Sequence, residues 1–247
     1  MIKIGGAALT DPTWLARFAS EAGNTGCRVI VHGGGPEVSA LSQQLGIEVQ
    51  WNGGRRVTSE AALDVASQVL TGRINKRIVR ALRAAGADAL GVSGEDAGLV
   101  SARVTQNGAL GRVGEVVSVR STFLQTLLAL GLLPVISPIS LGEDGEALNV
   151  NADEIATAVA QSVAADELLF LTDVPAVRGP EGPLSEIGVD EAKRLIDTQV
   201  ATGGMAVKLS AAIAAVAQGV GRVRVGSLDI MNDPQAGTVV RREEALV

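Results

Sequence analysis

Short apolar runs of strand length alternate along the whole chain with longer, alanine-rich segments of helical period. Such a pattern leaves few architectures open. Parallel strands need a crossover, a helix supplies it, and the sheet that results is covered on both faces. "IKI" reads as the first strand. Asp11 caps a helix with Pro12 at its first position, running through Ala22 and stopping near Gly23. "CRVIVH" is the second strand, and Pro36 to Leu45 the second helix, ended by Gly46. Thr58 is expected to cap a long helix with Glu60 in its first turn and a kink at Gly72, reaching about Ala85. "ADALGVS", "GLVSARV", "RVGEVVSV" and "LLPVISPI" read as strands, and "TFLQTLLAL" as a helix. The alternation then resumes, with a helix from Asn151 or Ala152 to Val163, the strand "ELLFLTDV", a short helix at Asp190 to Ile196, a helix from Gly204 to Gln218, and closing strands "RVRVGSL" and "GTVV". The expected fold is an α/β three-layer αβα sandwich with an open, largely parallel central sheet. The "GEDGEA" turn (142–147) divides it into lobes, 1–145 and 146–247.

Composition narrows the function. Hydrophobic residues are 47% of the 247 and aromatics only 2%, so the core is aliphatic and the chain globular. The net charge of −6, with no basic patch or aromatic platform, argues against nucleic acid. The most apolar stretch (127–141) is broken by Gly131, Pro134 and Pro138, too short for a membrane span. No secretion signal is visible, and a cytoplasmic location is expected. The single cysteine, Cys27, reads as a core residue, and a single histidine, His32, permits no zinc cluster. No Cys–His pair is evident, and no G-x-S-x-G turn accompanies His32. It is expected to be a structural hydrogen-bonding residue at its glycine turn.

Five places carry candidate chemistry. "HGGG" (32–35), between a strand and a helix, is suited to offer backbone N–H groups and a helix N-terminus to an anion. "KIGG" (3–6) puts Lys3 and Gly5 on one strand face; neither a Walker-type loop nor a dinucleotide turn is present. In "NVNADE" (149–154), Asn149 and Asn151 alternate toward one pocket and Asp153 follows at a helix start. In "TGGMAVK" (202–208), Lys208 lies about one turn into a helix, an unfavourable place for a cation unless an anion offsets it. "NGGRRVT" (52–58) offers Arg55 or Arg56 as a fork for a carboxylate.

Taken together, "KIGG", "VHGGGPE", "GRRVT", "NK" (75–76), "GEDGEALNVNAD", "LTDVPAV" (171–177) and "GGMAVK" resemble the amino-acid kinase family nearly from end to end. The resemblance implies ATP-dependent phosphorylation, with Mg2+, of the side-chain carboxylate of N-acetyl-L-glutamate. By matching position, Lys3 and Lys208 stabilise the transferring phosphoryl group, Asp153 orients them, and Gly6 contributes to the catalytic set. Gly34 and Gly35, Arg56, Asn149 and Asn151 bind the substrate. Gly5, Asp173, Val174, Pro175, Ala176, Val177, Ala201 and Thr202 line the nucleotide site. The first lobe takes the acid and the second takes ATP. No general base is required, because a carboxyl with an ordinary pKa of about 4.3 is already ionised. "GSLDIMNDPQ" (226–235) departs from the family's acidic loop and leaves the adenine and ribose contacts open. The chain also lacks the helix that precedes the first strand in arginine-inhibited members. A homodimer insensitive to arginine is therefore expected, pairing through the helix near 59–72. Related acid kinases on this scaffold, acting on aspartate, glutamate or carrier-linked aminoadipate, are the nearest alternatives. A non-catalytic sensor is the alternative of another class.

Overall fold

The computed structural model describes residues 1–23 and 26–242. Its centre is an eight-stranded sheet in the order Glu186–Gly188, Thr238–Arg241, Arg222–Gly226, Glu167–Leu171, Ile2–Ile4, Ile30–His32, Leu133–Ser137 and Ala89–Ser93. Every pairing is parallel except that of Arg222–Gly226 with Thr238–Arg241. Strict alternation along the inner strands explains their continuous apolar sequences. Leu168 and Phe170 enter one core while Leu169 and Leu171 enter the other. Helices Ala152–Ser162 and Gly203–Ala217 cover the first face, and Pro12–Ala22, Gly35–Gln44 and the 60–84 segment cover the second. Alanines allow the first two helices to approach closely. Ala211 and Ala212 face the Ala152 helix, and the Thr157 hydroxyl donates to the carbonyl of Ala211 at 3.4 Å.

The three-layer reading of the sequence holds, with four local corrections. "CRVIVH" forms a strand only over Ile30–His32. Ser59, not Thr58, caps the helix after it, accepting from the Ala62 N–H at 3.2 Å, while the Thr58 hydroxyl donates to Arg56 O. Gly72 sits within a π-helical segment, Gln68–Ile74, joining two α-helices. The "GEDGEA" turn does not divide two bodies. It joins antiparallel strands Ile139–Gly142 and Ala147–Val150 of a small closed barrel, completed by Val100–Val104 and Val113–Val119. Residues 147–150 therefore pack with strands of the first half of the chain. This barrel stands beside the carboxyl ends of the main sheet and carries Asn149 to the site. None of the helices in the described residues is long and apolar enough to cross a membrane.

Candidate active site

The carboxyl ends of two neighbouring inner strands, Ile2–Ile4 and Ile30–His32, open into a cleft of about 260 Å³. Ile2 and Ile4 face one core, so alternation turns Lys3 to the opposite face, beneath the start of the Ala152 helix. There Asn151 caps the helix, its Oδ1 accepting from the Asp153 N–H at 2.8 Å, and this sets Asp153 over the strand. Lys3 Nζ and Asp153 Oδ1 pair at 2.6 Å, with both side chains buried. Lys208 arrives from the other end of the chain, on the helix that Thr202 opens. Its ammonium lies 3.9 Å from where a Cβ on Gly5 would stand.

Electrostatics tie the three together. Burial pushes the Asp153 carboxyl upward, but the Lys3 and Lys208 ammonium groups outweigh it and hold the group below the usual aspartate range. Lys208 is pushed below the usual lysine range, first by burial and then by Lys3, against the opposing pull of Asp153 and Asp173. Asp153 is the one buried carboxylate beside the buried Lys3 and half-buried Lys208 ammonium groups, and the weaker influence of the exposed Asp173 leaves positive charge directed at the cleft.

The glycine turns face this charge. A Cβ on Gly6 would stand 2.8 Å from Gly34 Cα and N and 3.0 Å from Gly35 N, so the two turns are in direct backbone contact. A Cβ on Gly34 would strike Ile74 Cδ1 at 2.3 Å and Leu70 Cδ2 at 2.6 Å. Only glycine fits at Gly6, where the neighbours are backbone, whereas a side chain at Gly34 would have to displace Ile74 and Leu70. Gly35 begins the Gly35–Gln44 helix, with Pro36 in its first turn. Among the described residues the amides of Gly6, Gly34 and Gly35 have no acceptor within the protein, which leaves three donors at a helix N-terminus.

Opposite them stands Arg56, on a hairpin of Trp51–Asn52 with Arg55–Arg56. Its turn residues, Gly53 and Gly54, both have positive φ, as a tight two-residue hairpin turn requires. Arg56 donates to Gly35 O at 3.0 Å and to the Ser39 hydroxyl at 2.6 Å, and its guanidinium lies 4.5 Å from the Trp51 ring centre. It is 7% exposed. Among the described residues no carboxylate pairs with it, and burial lowers its pKa. Arg55 differs, since it is bound to Glu154 and to the Thr105 hydroxyl. The structure thus gives different surroundings to two arginines that residue type alone left equivalent. Asn149 donates to the Thr58 hydroxyl at 3.1 Å and lines the cleft with Asn151.

The 173–177 and 201–202 residues do not line this cleft. They follow strand Glu167–Leu171 and precede the Gly203 helix. Asp173 accepts from the Thr172 hydroxyl and bears on Lys208. Val177 and Ala201 are buried, and the Val177 N–H donates to the Thr238 hydroxyl. In the 226–235 stretch, Asp229 is paired with Arg17. Trp51 and Val207 also line the cleft, Ser39 supports Arg56 beside it, and all three escaped the sequence reading. The Asn-Gly-Gly turn is the signal that points to the hairpin carrying Trp51.

Residues 1–227 match the model of the amino acid kinase family. The chain belongs to that family and is an enzyme of the kinase class. It is 42% identical over 237 residues to the acetylglutamate kinase of Chloroflexus aurantiacus, spanning 94% of this chain and 93% of that protein. Against the acetylglutamate kinase of Methanopyrus kandleri the identity is 39% over 251 residues, spanning 98% and 99%. The crystal structure of smu.665 from Streptococcus mutans superposes with a TM-score of 0.87 at 31% identity, covering 98% of each chain.

Proposed function

We propose that this protein transfers the γ-phosphoryl group of ATP to the side-chain carboxylate of N-acetyl-L-glutamate, a step of arginine biosynthesis. The observation that carries the reading is the convergence of Lys3 and Lys208 on Asp153 beneath three free glycine amides. Two anions must meet here, and their repulsion is the main obstacle. Phosphoryl transfer asks for positioning and positive charge rather than covalent help. A carboxylate oxygen attacks the γ-phosphorus, the bond to the β–γ bridging oxygen breaks, and that oxygen leaves with ADP. No proton moves. Lys3 and Lys208 face the charge that develops on the transferring group, Asp153 holds them at their spacing, and the amides of Gly6, Gly34 and Gly35 donate to phosphoryl oxygens. Arg56 takes the acid's α-carboxylate, satisfying a buried guanidinium that lacks a carboxylate within the protein, while Asn149 and Asn151 hold the remainder. Gly5 and the 173–177 and 200–202 segments border the nucleotide. No cluster of three acidic, His or Cys side chains stands together among the described residues, so the residues present fit a Mg2+ ion carried by the ATP phosphates rather than a resident one. When bound, the ion neutralises phosphate charge.

In the same reading, the first part of the chain takes the acid and the second part the nucleotide. The homodimer expected from the family belongs to the same proposal, and sedimentation velocity reads it directly. ADP release should be fastest with N-acetyl-L-glutamate when it is compared with glutamate, aspartate and UMP. Faster release with an unacylated acid would reassign the substrate. Arg56→Ala should raise KM for the acid by about 10- to 100-fold, the loss of one charged hydrogen-bonded contact, with KM for ATP little changed. A rise confined to ATP would put Arg56 in the other half of the site.

A further inference from the structure

His32 is fully buried at the end of its strand, directly before the glycine turn. Its Nδ1 lies 3.0 Å from Gly33 O, and its Nε2 lies 3.2 Å from Asn75 Nδ2. The orientation of the Asn75 amide is decided by its surroundings. Nδ2 faces Val135 O at 2.8 Å and Val92 O at 3.4 Å, while Oδ1 accepts from Lys76 Nζ at 3.2 Å. The reverse orientation would oppose an oxygen to two carbonyls and a nitrogen to an ammonium. Asn75 must therefore donate to Nε2, which makes His32 a neutral imidazole with its proton on Nδ1. Gly33 O accepts that proton.

The Gly33–Gly34 peptide is trans, so the Gly33 carbonyl and the Gly34 N–H point in opposite directions. Holding the carbonyl against the buried imidazole turns the Gly34 N–H the other way, toward Gly6 and the cleft. The π-helical segment closes the support from behind, with Leu70 and Ile74 packed on Gly34 and Asn75 following at once.

We propose that His32, locked as its Nδ1–H tautomer by Asn75, is a positioning residue that aims the Gly34 amide at the transferring phosphoryl group. The inference rests on the phosphotransfer reading above, and the clasp itself has an independent readout. Burial first, and then Lys3, Arg77 and Lys76, lower the His32 pKa to about 4, so the clasp survives across the neutral range. His32→Asn places an amide nitrogen where Nδ1 stands and keeps the bond to Gly33. His32→Gln reaches only the place of Nε2 and loses that bond. His32→Gln should lower kcat by about 10- to 100-fold with little change in KM for the acid, the scale expected when a catalytic donor is misdirected. His32→Asn should recover most of kcat, and thermal midpoints should be matched between the two. Equal turnover in both variants, or losses that track the thermal midpoint, would overturn the assignment. Because the chain has one histidine, the imidazole 15N spectrum of an untagged preparation is unambiguous. A protonated Nδ1 and bare Nε2 at neutral pH are expected, and the opposite tautomer or an imidazolium would break the clasp. Should the wild type form no acyl phosphate, the functional reading falls while the nitrogen spectrum still decides the clasp.

Discussion

Lys208→Ala should lower kcat by about 10²- to 10³-fold and leave the protein folded, the scale of removing one preorganised donor from a site of developing charge. Three observations make the effect large and separable. Lys208 is half-buried beside a like charge, so its ammonium is held at a cost that folding alone does not require. It lies in an alanine-rich helix, where another alanine is the best-tolerated residue. Its loss removes a repulsion felt by Lys3 while Asp153 keeps its 2.6 Å partner. The thermal midpoint should therefore stay level or rise as turnover falls. Steady-state kinetics and a circular dichroism melt on the same preparation check both halves. Undiminished turnover would demote Lys208 to a bystander.

Lys3→Met should do the reverse to stability. It leaves Asp153 buried with only the more distant Lys208 for compensation, and breaking a buried pair in this way costs about 3–5 kcal/mol. The double variant Lys3→Met/Asp153→Leu removes the orphaned charge and should recover most of that loss. The pH dependence follows from the same carboxylate. Its folded pKa lies below the unfolded value of about 3.9, so the unfolded chain binds the proton more readily. The stabilisation is complete above that value and is lost as pH falls through the lower, folded one. The gap between wild type and Lys3→Met in urea titrations should thus be widest near neutrality and shrink below about pH 4. A gap that is constant with pH would show that packing, not charge, accounts for it.

The layers of the fold were legible because period and punctuation agreed along the chain. Pro12 after Asp11 and the short, bounded apolar run "ELLFL" mark a helix start and a buried strand. The barrel was harder to see. "GLVSARV" and "RVGEVVSV" read as strands, but Ile139–Gly142 and Ala147–Val150 did not, and nothing local says that these four pair with each other instead of joining the main sheet. That decision is made by long-range closure around Leu148 and Val150. In the site, Lys3, Asp153 and Lys208 stood out as charges placed against glycines and helix starts. The residue types alone left Arg55 and Arg56 open and the family resemblance chose Arg56; the pairing of Arg55 with Glu154, remote in sequence, gives that choice a physical reason. Asn75 was noted in the sequence as part of "NK" (75–76), but its role was not legible for the same reason. It lies mid-helix, where an asparagine ordinarily faces solvent, and only the folded chain sets three carbonyl and imidazole acceptors around it.

The measurement closest to the central claim is hydroxylamine trapping of the product. An acyl phosphate reacts to a hydroxamate, so purified protein with ATP, Mg2+ and N-acetyl-L-glutamate should yield one in proportion to ADP, and omission of ATP should abolish it. ADP release with no hydroxamate from any acidic amino acid would contradict phosphorylation of a carboxylate at this site.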